Sequence, residues 1–273
     1  MGMFKEFNEC QEILTEGMFN KYSTSASGKI LNSEKFTVQK PTPRPVLTRE
    51  GIKLFLKENN IDYIDKDLDE FIELAKFEDS EYGKEEIGEI EFYHNIHAHY
   101  VYTDDHNTHI INSICTLNNT EQCMESRRAA LKRCVDRVVS TVEVAERLNI
   151  QVLVDAEQSY IQRTLDSLTR QLQTKHHKDK KAFILNGYQS YLKSSPEHVK
   201  LEIERCKRAG LGFGIKLVRG AYMGEERRLA QEFNYESPIW DTIEDTHKCY
   251  NQNLQNIIQN IDKEKGNFYL EIN

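Results

Sequence analysis

The amino-acid sequence predicts an α/β protein built on a parallel sheet, and the prediction rests on residues 124–273. Short apolar runs, too short to be helices, recur there at intervals of about 31 residues. Between these runs, apolar residues repeat at three- and four-residue steps, which is the period of a helix with one buried face. This alternation is typical of βαβ units. It fits an open doubly wound sheet and a closed (β/α)₈ barrel equally well.

The first predicted helix carries an apolar stripe formed by Leu131, Val135, Val138, Val142 and Ala145. A buried strand follows at residues 152–154 and ends at Asp155. The later elements repeat this order: a helix with Ile161, Leu165, Leu168 and Leu172; a strand at 182–185 ending at Asn186; a helix with Val199, Ile203 and Cys206 closing at Gly210; a strand at 213–218; a helix with Tyr250, Leu254, Ile257 and Ile261; and a strand at 268–272.

The chain before residue 124 has a weaker pattern. We predict a poorly ordered segment and linker over residues 1–45, because residues 23–45 are rich in Ser, Thr and Lys and end in three prolines that oppose helix formation. Residues 46–123 are predicted to be irregular and helical. Within them, Thr48 is a suitable N-cap for an amphipathic helix that contains Ile52, Leu54 and Phe55.

Composition excludes several classes of protein. Hydrophobic residues make up 38% of the 273 residues and charged residues 29%, as in a globular protein. The net charge of −8 argues against a protein that binds nucleic acid through its overall field. We expect the six scattered cysteines to be reduced thiols.

Polar residues follow each predicted strand, and this is where ligands bind in both candidate architectures. They are Asp155, Asn186 with Gln189, and the segment 216–222. Gly220 and Ala221 leave the backbone open to a phosphate or a ring, and Lys216 and Arg219 add positive charge. A plain interpretation competes: a tight turn whose basic residues pair with Glu225 or Glu226.

Three segments resemble the proline dehydrogenase family, and they occur in the family's order. Residues 155–160 (DAEQSY) are similar to its DAEQTY segment, and residues 186–193 (NGYQSYLK) to its NTYQ-x-YLK stretch. Residues 216–223 (KLVRGAYM), followed by Glu226 and Arg227, match its strongest signature. The resemblance covers residues 124–273. It implies a partial, TIM-like (β/α)₈ barrel preceded by a helical, partly irregular region.

The resemblance also implies chemistry. Such a protein binds FAD and oxidises L-proline to 1-pyrroline-5-carboxylate, with hydride passing from the ring carbon beside the nitrogen to flavin N5. The electrons go on to a quinone, so a mitochondrial protein peripherally associated with the inner membrane is implied, although the amino terminus shows no clear transit peptide.

Eight residues receive roles by this resemblance. Lys216 would face flavin N5, where a cation stabilises the reduced cofactor. Asp155 would orient the basic groups of the site, and Tyr222 would shape the substrate pocket. The remaining cofactor contacts would be Gln189 at the isoalloxazine edge, Arg219, Gly220 and Ala221 along the cofactor, and Thr242 at the adenine half.

Two departures from the family pattern affect the expected activity. No strand before residue 120 matches the one that supplies the family's pocket lysine, and the chain stops at Asn273, before the helix whose paired arginines hold the substrate carboxylate. We therefore expect an incomplete chain with little proline oxidation by itself. The alternative function is a catalytically inactive barrel fragment that serves as an interaction module.

A histidine-rich segment allows a metal site as a further alternative. His94, His97, His99, His106 and His109, with Asp104 and Asp105, have ligand types that suit Zn²⁺ or Fe²⁺. The segment is polar and loop-like, so solvated histidines are the favoured interpretation.

Overall fold

The computed structural model describes residues 8–25, 44–97, 108–117, 121–177, 182–260 and 268–272. The chain divides into two compact units. One contains the described residues from 9 to 128, and the other contains Asn8 together with those from 129 onward. The second unit carries all three family-like segments.

The first unit combines helices with a small antiparallel sheet of strand order β1-β2-β3. Its apolar core includes Leu14, Leu47, Phe55, Phe71 and Phe92, all at most 2% exposed. Its elements are α1 (Ile13–Asn20, a π-helix), β1 (Ser23–Ser25), β2 (Pro45–Thr48), α2 (Arg49–Glu58), α3 (Asp65–Ala75), β3 (Glu86–Gly88), α4 (Glu89–Asn95) and α5 (His109–Thr116).

Two expectations for this unit have different outcomes. The predicted N-cap is confirmed, since the Thr48 side chain accepts a hydrogen bond from Gly51 N at the start of α2. Residues 8–25, expected to be poorly ordered, are instead helical and then extended. Leu14 and Met18 are completely buried, so tertiary packing orders a segment that has no clear periodicity of its own.

The second unit holds a four-stranded parallel sheet in which the strands lie side by side in chain order, β4-β5-β6-β7. A helical connection separates each strand from the next, as the sequence predicts. Its elements are α6 (Glu121–Arg147, from residue 129 onward), β4 (Val152–Val154), α7 (Ser159–His176), β5 (Ile184–Gln189), α8 (Ser195–Arg208), β6 (Phe213–Val218), α9 (Met223–Glu232), α10 (Ile243–Asn260) and β7 (Phe268–Ile272).

Four helices pack on the same face of this sheet. Val152 pairs with Ile184, and Asn186 with Ile215, so their side chains share one face. On that face, α6 and α7 cover Ile184 through Val142, Leu168 and Leu172. Helices α8 and α10 cover the neighbouring strands with a second cluster, formed by Tyr188, Val199, Ile203, Cys206, Phe213, Ile215, Leu217, Tyr250 and Ile257.

The strand β5 differs from its prediction in a way that matters for the site. The sequence places a strand at 182–185, whereas β5 runs from Ile184 to Gln189. Asn186 is therefore inside the strand with its side chain on the helix-covered face, and Gln189 is the last strand residue. A polar residue interrupts the apolar run of this strand, and its burial is tolerated in part because Asn186 Nδ2 donates a hydrogen bond to Asp166 Oδ1.

The described histidines of the His-rich segment bond within the fold. His97 Nε2 lies 2.8 Å from the His94 carbonyl oxygen, and His109 Nε2 lies 2.9 Å from the Asp62 carbonyl oxygen. His99, Asp104, Asp105 and His106 lie outside the described residues. Within the described ranges, no group of three or more His, Cys, Asp or Glu side chains is arranged to hold a metal ion.

Among the helices that the structure describes, none is long and apolar enough to cross a membrane. Five cysteines in the described ranges are free thiols, namely Cys10, Cys115, Cys134, Cys206 and Cys249.

Candidate functional site

Charged side chains from two strands meet at the carboxyl-terminal end of the parallel sheet. Asp155 follows β4 directly, and its Oδ1 lies 2.8 Å from Lys216 Nζ on β6. The register explains the contact. Val154 pairs with Asn186 and Gly187 pairs with Lys216, so the position after Val154 enters the row that contains Gly187 and Lys216. The structure thus brings Asp155 and Lys216 together at one end of the sheet, as the sequence predicts, and the register places both on the face opposite the helices.

Gly187 lies in β5, the strand between β4, which Asp155 follows, and β6, which carries Lys216. A Cβ atom at this position would lie 2.6 Å from Ala156 N and 3.0 Å from Ala156 Cβ. Real Cβ atoms do not approach a backbone nitrogen so closely. The chain after β4 therefore rests directly on the bare backbone of Gly187, which lets the Asp155 carboxylate reach Lys216 across β5.

Gln189 is buried and connects two loops of the site. Its Nε2 donates to the Glu157 carbonyl oxygen at 2.7 Å, and its Oε1 accepts from Ala221 N at 3.3 Å. The family resemblance implies that this side chain contacts the isoalloxazine edge of the cofactor. In the structure its two ends tie the loop after β4 to the loop after β6, while the side chain remains 3% exposed.

Gly220 has a positive φ of 140°, a conformation that L-residues with side chains rarely adopt. A Cβ atom here would lie 2.4 Å from Cγ of the Tyr191 ring. From the sequence, this glycine is expected to let a phosphate or a ring approach the backbone. The structure gives it a further reason, because the Tyr191 ring occupies the space where a side chain would be.

Arg219 is exposed and directed toward α10. Its guanidinium carbon lies 4.2 Å from the centroid of the Tyr250 ring, and its Nε donates to His247 Nδ1 at 3.3 Å. Neither Lys216 nor Arg219 pairs with Glu225 or Glu226. The alternative interpretation, a tight turn whose basic residues bind these two carboxylates, is therefore wrong. Glu225 binds Arg228 instead, and Lys216 binds Asp155.

Tyr222 stands beside the loop that follows β4. Partial burial, together with a hydrogen bond to the Glu157 carboxylate, raises the pKa of the Tyr222 hydroxyl above its usual value. Glu157 was not singled out from the sequence beyond its place in the DAEQSY segment. Its side chain brings Tyr222 into the same group as Asp155 and Lys216.

Thr242 lies outside this group and caps a helix. Its hydroxyl accepts from Asp245 N at 3.1 Å and donates to Asp245 Oδ2 at 2.6 Å, immediately before the first turn of α10. This is the usual geometry of an N-cap. The hydroxyl therefore has a structural function in addition to the cofactor contact that the resemblance implies.

Two buried carboxylates support the β4–α7 loop, and the sequence does not predict this role for either of them. Glu226 on α9 accepts hydrogen bonds from Ser159 N at 2.6 Å and Ser159 Oγ at 2.7 Å, which places a carboxylate at the N-terminus of α7. Asp166 on α7 accepts from Gln162 Nε2 and Asn186 Nδ2. Burial raises the pKa of Asp166, against the opposing effect of the Arg170 guanidinium.

The fold and the site together define an α/β protein with a basic and acidic pair at the carboxyl ends of parallel strands. The sequence model of the family described as proline dehydrogenase matches residues 10–269. The chain therefore belongs to the proline dehydrogenase family.

Individual relatives agree with this membership. The chain is 36% identical to human "Proline dehydrogenase 1, mitochondrial" over 137 residues, which are 50% of this chain and 23% of the relative. It is 36% identical to the protein of that name from Drosophila melanogaster over 130 residues, covering 48% of this chain and 19% of the relative. It is 34% identical to "Hydroxyproline dehydrogenase" from Xenopus laevis over 134 residues, covering 49% and 28%. The matched region thus spans less than a third of the length of each of these relatives.

Similar solved structures include proline utilization A from Bdellovibrio bacteriovorus inactivated by N-propargylglycine. The match has a TM-score of 0.46 and 23% sequence identity, and covers 52% of this chain and 14% of that chain.

Proposed function

We propose that this chain carries the flavin-facing part of a proline dehydrogenase, which oxidises L-proline to 1-pyrroline-5-carboxylate with FAD and passes the electrons to a quinone. The observation that carries the proposal is the Asp155–Lys216 pair. It joins the DAEQSY and KLVRGAYM segments at one end of the sheet, with a separation of 2.8 Å. The relatives' names make mitochondria the proposed location and hydroxyproline an alternative substrate.

A partial (β/α)₈ barrel is the architecture that we propose for the second unit. In a doubly wound sheet, helices cover both faces and the strand order reverses at a switch point. Here the four strands follow one another in chain order, and α6, α7, α8 and α10 cover a single face. Both features are expected of an arc of a barrel wall.

The exposed groups at this end of the sheet fit FAD in charge and position. Lys216 directs its ammonium group to the face opposite the helices, and Arg219, Gly220 and Ala221 are exposed just past the same strand. Arg219 and the open backbone would hold the anionic pyrophosphate. Gln189 fits less well as a direct ligand, because both ends of its amide already bond to the protein.

Bound FAD supplies the hydride acceptor, which no amino-acid side chain provides. The residues of the chain would set its electronic environment. The Lys216 ammonium group favours negative charge on the reduced ring, and Asp155 holds that ammonium group in place while its own carboxylate remains 70% exposed. Tyr222, held through Glu157, would form one wall of the pocket for the substrate ring.

The test is titration of the full chain with FAD, followed by flavin fluorescence and by the visible spectrum. We expect a yellow complex in which Lys216→Met weakens FAD binding or lowers the flavin potential, because a cation beside the ring is removed. Lys248→Met, a change of the same kind on the exposed surface of α10, is the matched control.

Two results would count against the proposal. Equal behaviour of Lys216→Met and the parent protein would remove Lys216 from the site. Colourless protein that fails to bind FAD would favour the alternative, a catalytically inactive interaction module. If the protein does bind FAD, the rates of dye reduction with proline and with hydroxyproline show which of the two is the better substrate.

A further inference from the structure

The loop between β4 and α7 is held at its backbone by two buried glutamines. Glu157 N donates to Gln162 Oε1 at 2.7 Å, and the Glu157 carbonyl oxygen accepts from Gln189 Nε2 at 2.7 Å. Gln162 is 9% exposed and Gln189 is 3% exposed. Both polar groups of one peptide position are thus fixed by side chains from different elements, two residues beyond Asp155.

A glutamine amide can present either its oxygen or its nitrogen, so its orientation needs a cause. Asp166 supplies that cause. Its Oδ1 accepts from Gln162 Nε2 at 2.8 Å and from Asn186 Nδ2 at 2.9 Å. Because the Gln162 nitrogen is bound to Asp166, the Gln162 oxygen turns toward Glu157 N. Both donors meet the same Asp166 oxygen, which accepts them whether or not Oδ2 carries a proton.

We propose that Asp166 and Gln162 are positioning residues for the reaction site: they hold the Asp155–Glu157 segment against β5 so that Asp155 faces Lys216 and Glu157 faces Tyr222. Neither residue touches the Lys216 ammonium group. They act through the backbone of Glu157. The effect of this positioning on FAD rests on the proposed function, whereas its effect on Asp155 and Lys216 does not.

The first measurement uses the unchanged chain. Amide hydrogen exchange should show a protected N–H at Glu157, although this residue belongs to no helix or strand, because Gln162 accepts its hydrogen bond. Exchange at the rate of an open loop would overturn the proposal without the use of any variant.

The second measurement is the rate at which an amine-acylating reagent modifies Lys216, determined by mass spectrometry of the digested protein. Gln162→Leu and Asp166→Leu should each raise the rate about two- to fivefold, the range expected for loss of a partly exposed ion pair. Asp155→Asn is the reference for complete loss of the pair. Asp166→Asn, which keeps the accepting oxygen, should retain the parental rate.

Gln173→Leu is the matched control, since Gln173 is a buried glutamine on the same helix. It accepts from Arg205 Nη2 at 2.6 Å and donates to the Ile184 carbonyl oxygen at 3.2 Å, at the start of β5 and distant from the loop. It should lower stability without changing the Lys216 rate. If Gln173→Leu raises the rate of Lys216 modification equally, a general loosening of the fold explains the result and the positioning role is refuted. If neither Gln162→Leu nor Asp166→Leu raises that rate, the positioning role is likewise refuted.

The FAD titration separates this inference from the proposed function. If the parent binds FAD, the two leucine variants should bind it more weakly than Gln173→Leu does. If the parent binds no FAD, the proposed function fails, while hydrogen exchange and Lys216 labelling still decide whether Asp166 and Gln162 position the segment.

Discussion

Glycine residues, as well as charged residues, determine the geometry of the candidate site. Gly187 allows the chain after β4 to approach β5 until Ala156 N lies 2.6 Å from the place of a Cβ atom. Asp155 reaches Lys216 over this gap. The close approach at Gly187 therefore affects the geometry of the candidate site.

At the residue scale we predict that Gly187→Ala destabilises the second unit by about 1–3 kcal/mol, since an added methyl group in a filled space forces the backbone to shift. The midpoint of urea denaturation measures the change. Gly224→Ala is the control, because nothing lies within 4 Å of its Cβ position in α9. We expect that variant to be neutral or slightly more stable, since alanine favours a helix. A Gly187→Ala protein as stable as the Gly224→Ala protein would show that the loop moves at no cost.

Helix α7 buries polar side chains as well as apolar ones. Its predicted apolar residues Leu168 and Leu172 are buried against α6 and β4, as expected. Its polar residues are buried too, including Gln162, Asp166 and Gln173. These side chains are tolerated because each one is hydrogen-bonded, at one end of the helix to the site loop and at the other end to Arg205. One helix therefore couples the core to both ends of the sheet.

Helix α10 provides a prediction at the element scale. Thr242→Ala should lower the stability of the second unit by about 0.5–2 kcal/mol, because the N-cap that satisfies Asp245 N is lost. Thr242→Ser, which keeps the hydroxyl group, should preserve most of that stability. Urea denaturation monitors both variants. If Thr242→Ala weakens FAD binding while its stability is unchanged, Thr242 serves the cofactor and the cap is unimportant.

For the whole second unit, stability depends on a histidine at the end of the sheet opposite the site. His177 Nδ1 donates to the Gly212 carbonyl oxygen at 2.9 Å, and its Nε2 accepts from Ile184 N at 3.1 Å. Only the neutral ring can make both bonds. Burial lowers the pKa of His177 from 6.5 to about 4. The ring thus joins β5 to the chain entering β6 only while it is unprotonated.

The consequence at this scale is a loss of stability in mild acid. Between pH 6.5 and pH 4 the unfolded chain binds a proton at His177 that the folded chain does not, so stability is fully present above pH 6.5 and falls as the pH decreases. From pH 6.5 to pH 5 the loss amounts to about 1.6 kcal/mol. Urea midpoints over this range measure it. In His177→Gln this contribution should be absent, and an unchanged pH profile in that variant would contradict the assignment.

Local pattern determined most of the elements. Stripes such as Val138, Val142 and Ala145 predict helices because side-chain spacing on a helix depends on neighbours along the chain. The strand β6 and the helix start at Thr48 were predicted for the same reason, and so was the meeting of Asp155 and Lys216, since parallel strands place their carboxyl ends together. The motifs also indicated the family.

Tertiary structure alone decided what those residues contact. Gln189 bonds to Glu157 and Ala221, and Gly220 faces the Tyr191 ring, through partners that lie about 30 residues away along the chain. A sequence pattern places polar residues such as Asn186 and Asp166 at the surface, yet both are buried and joined by a hydrogen bond from Asn186 Nδ2 to Asp166 Oδ1. Residues 8–25 became ordered by packing and not by periodicity. Strand register and buried hydrogen bonds join distant parts of the chain, and a pattern of neighbouring residues does not contain that information.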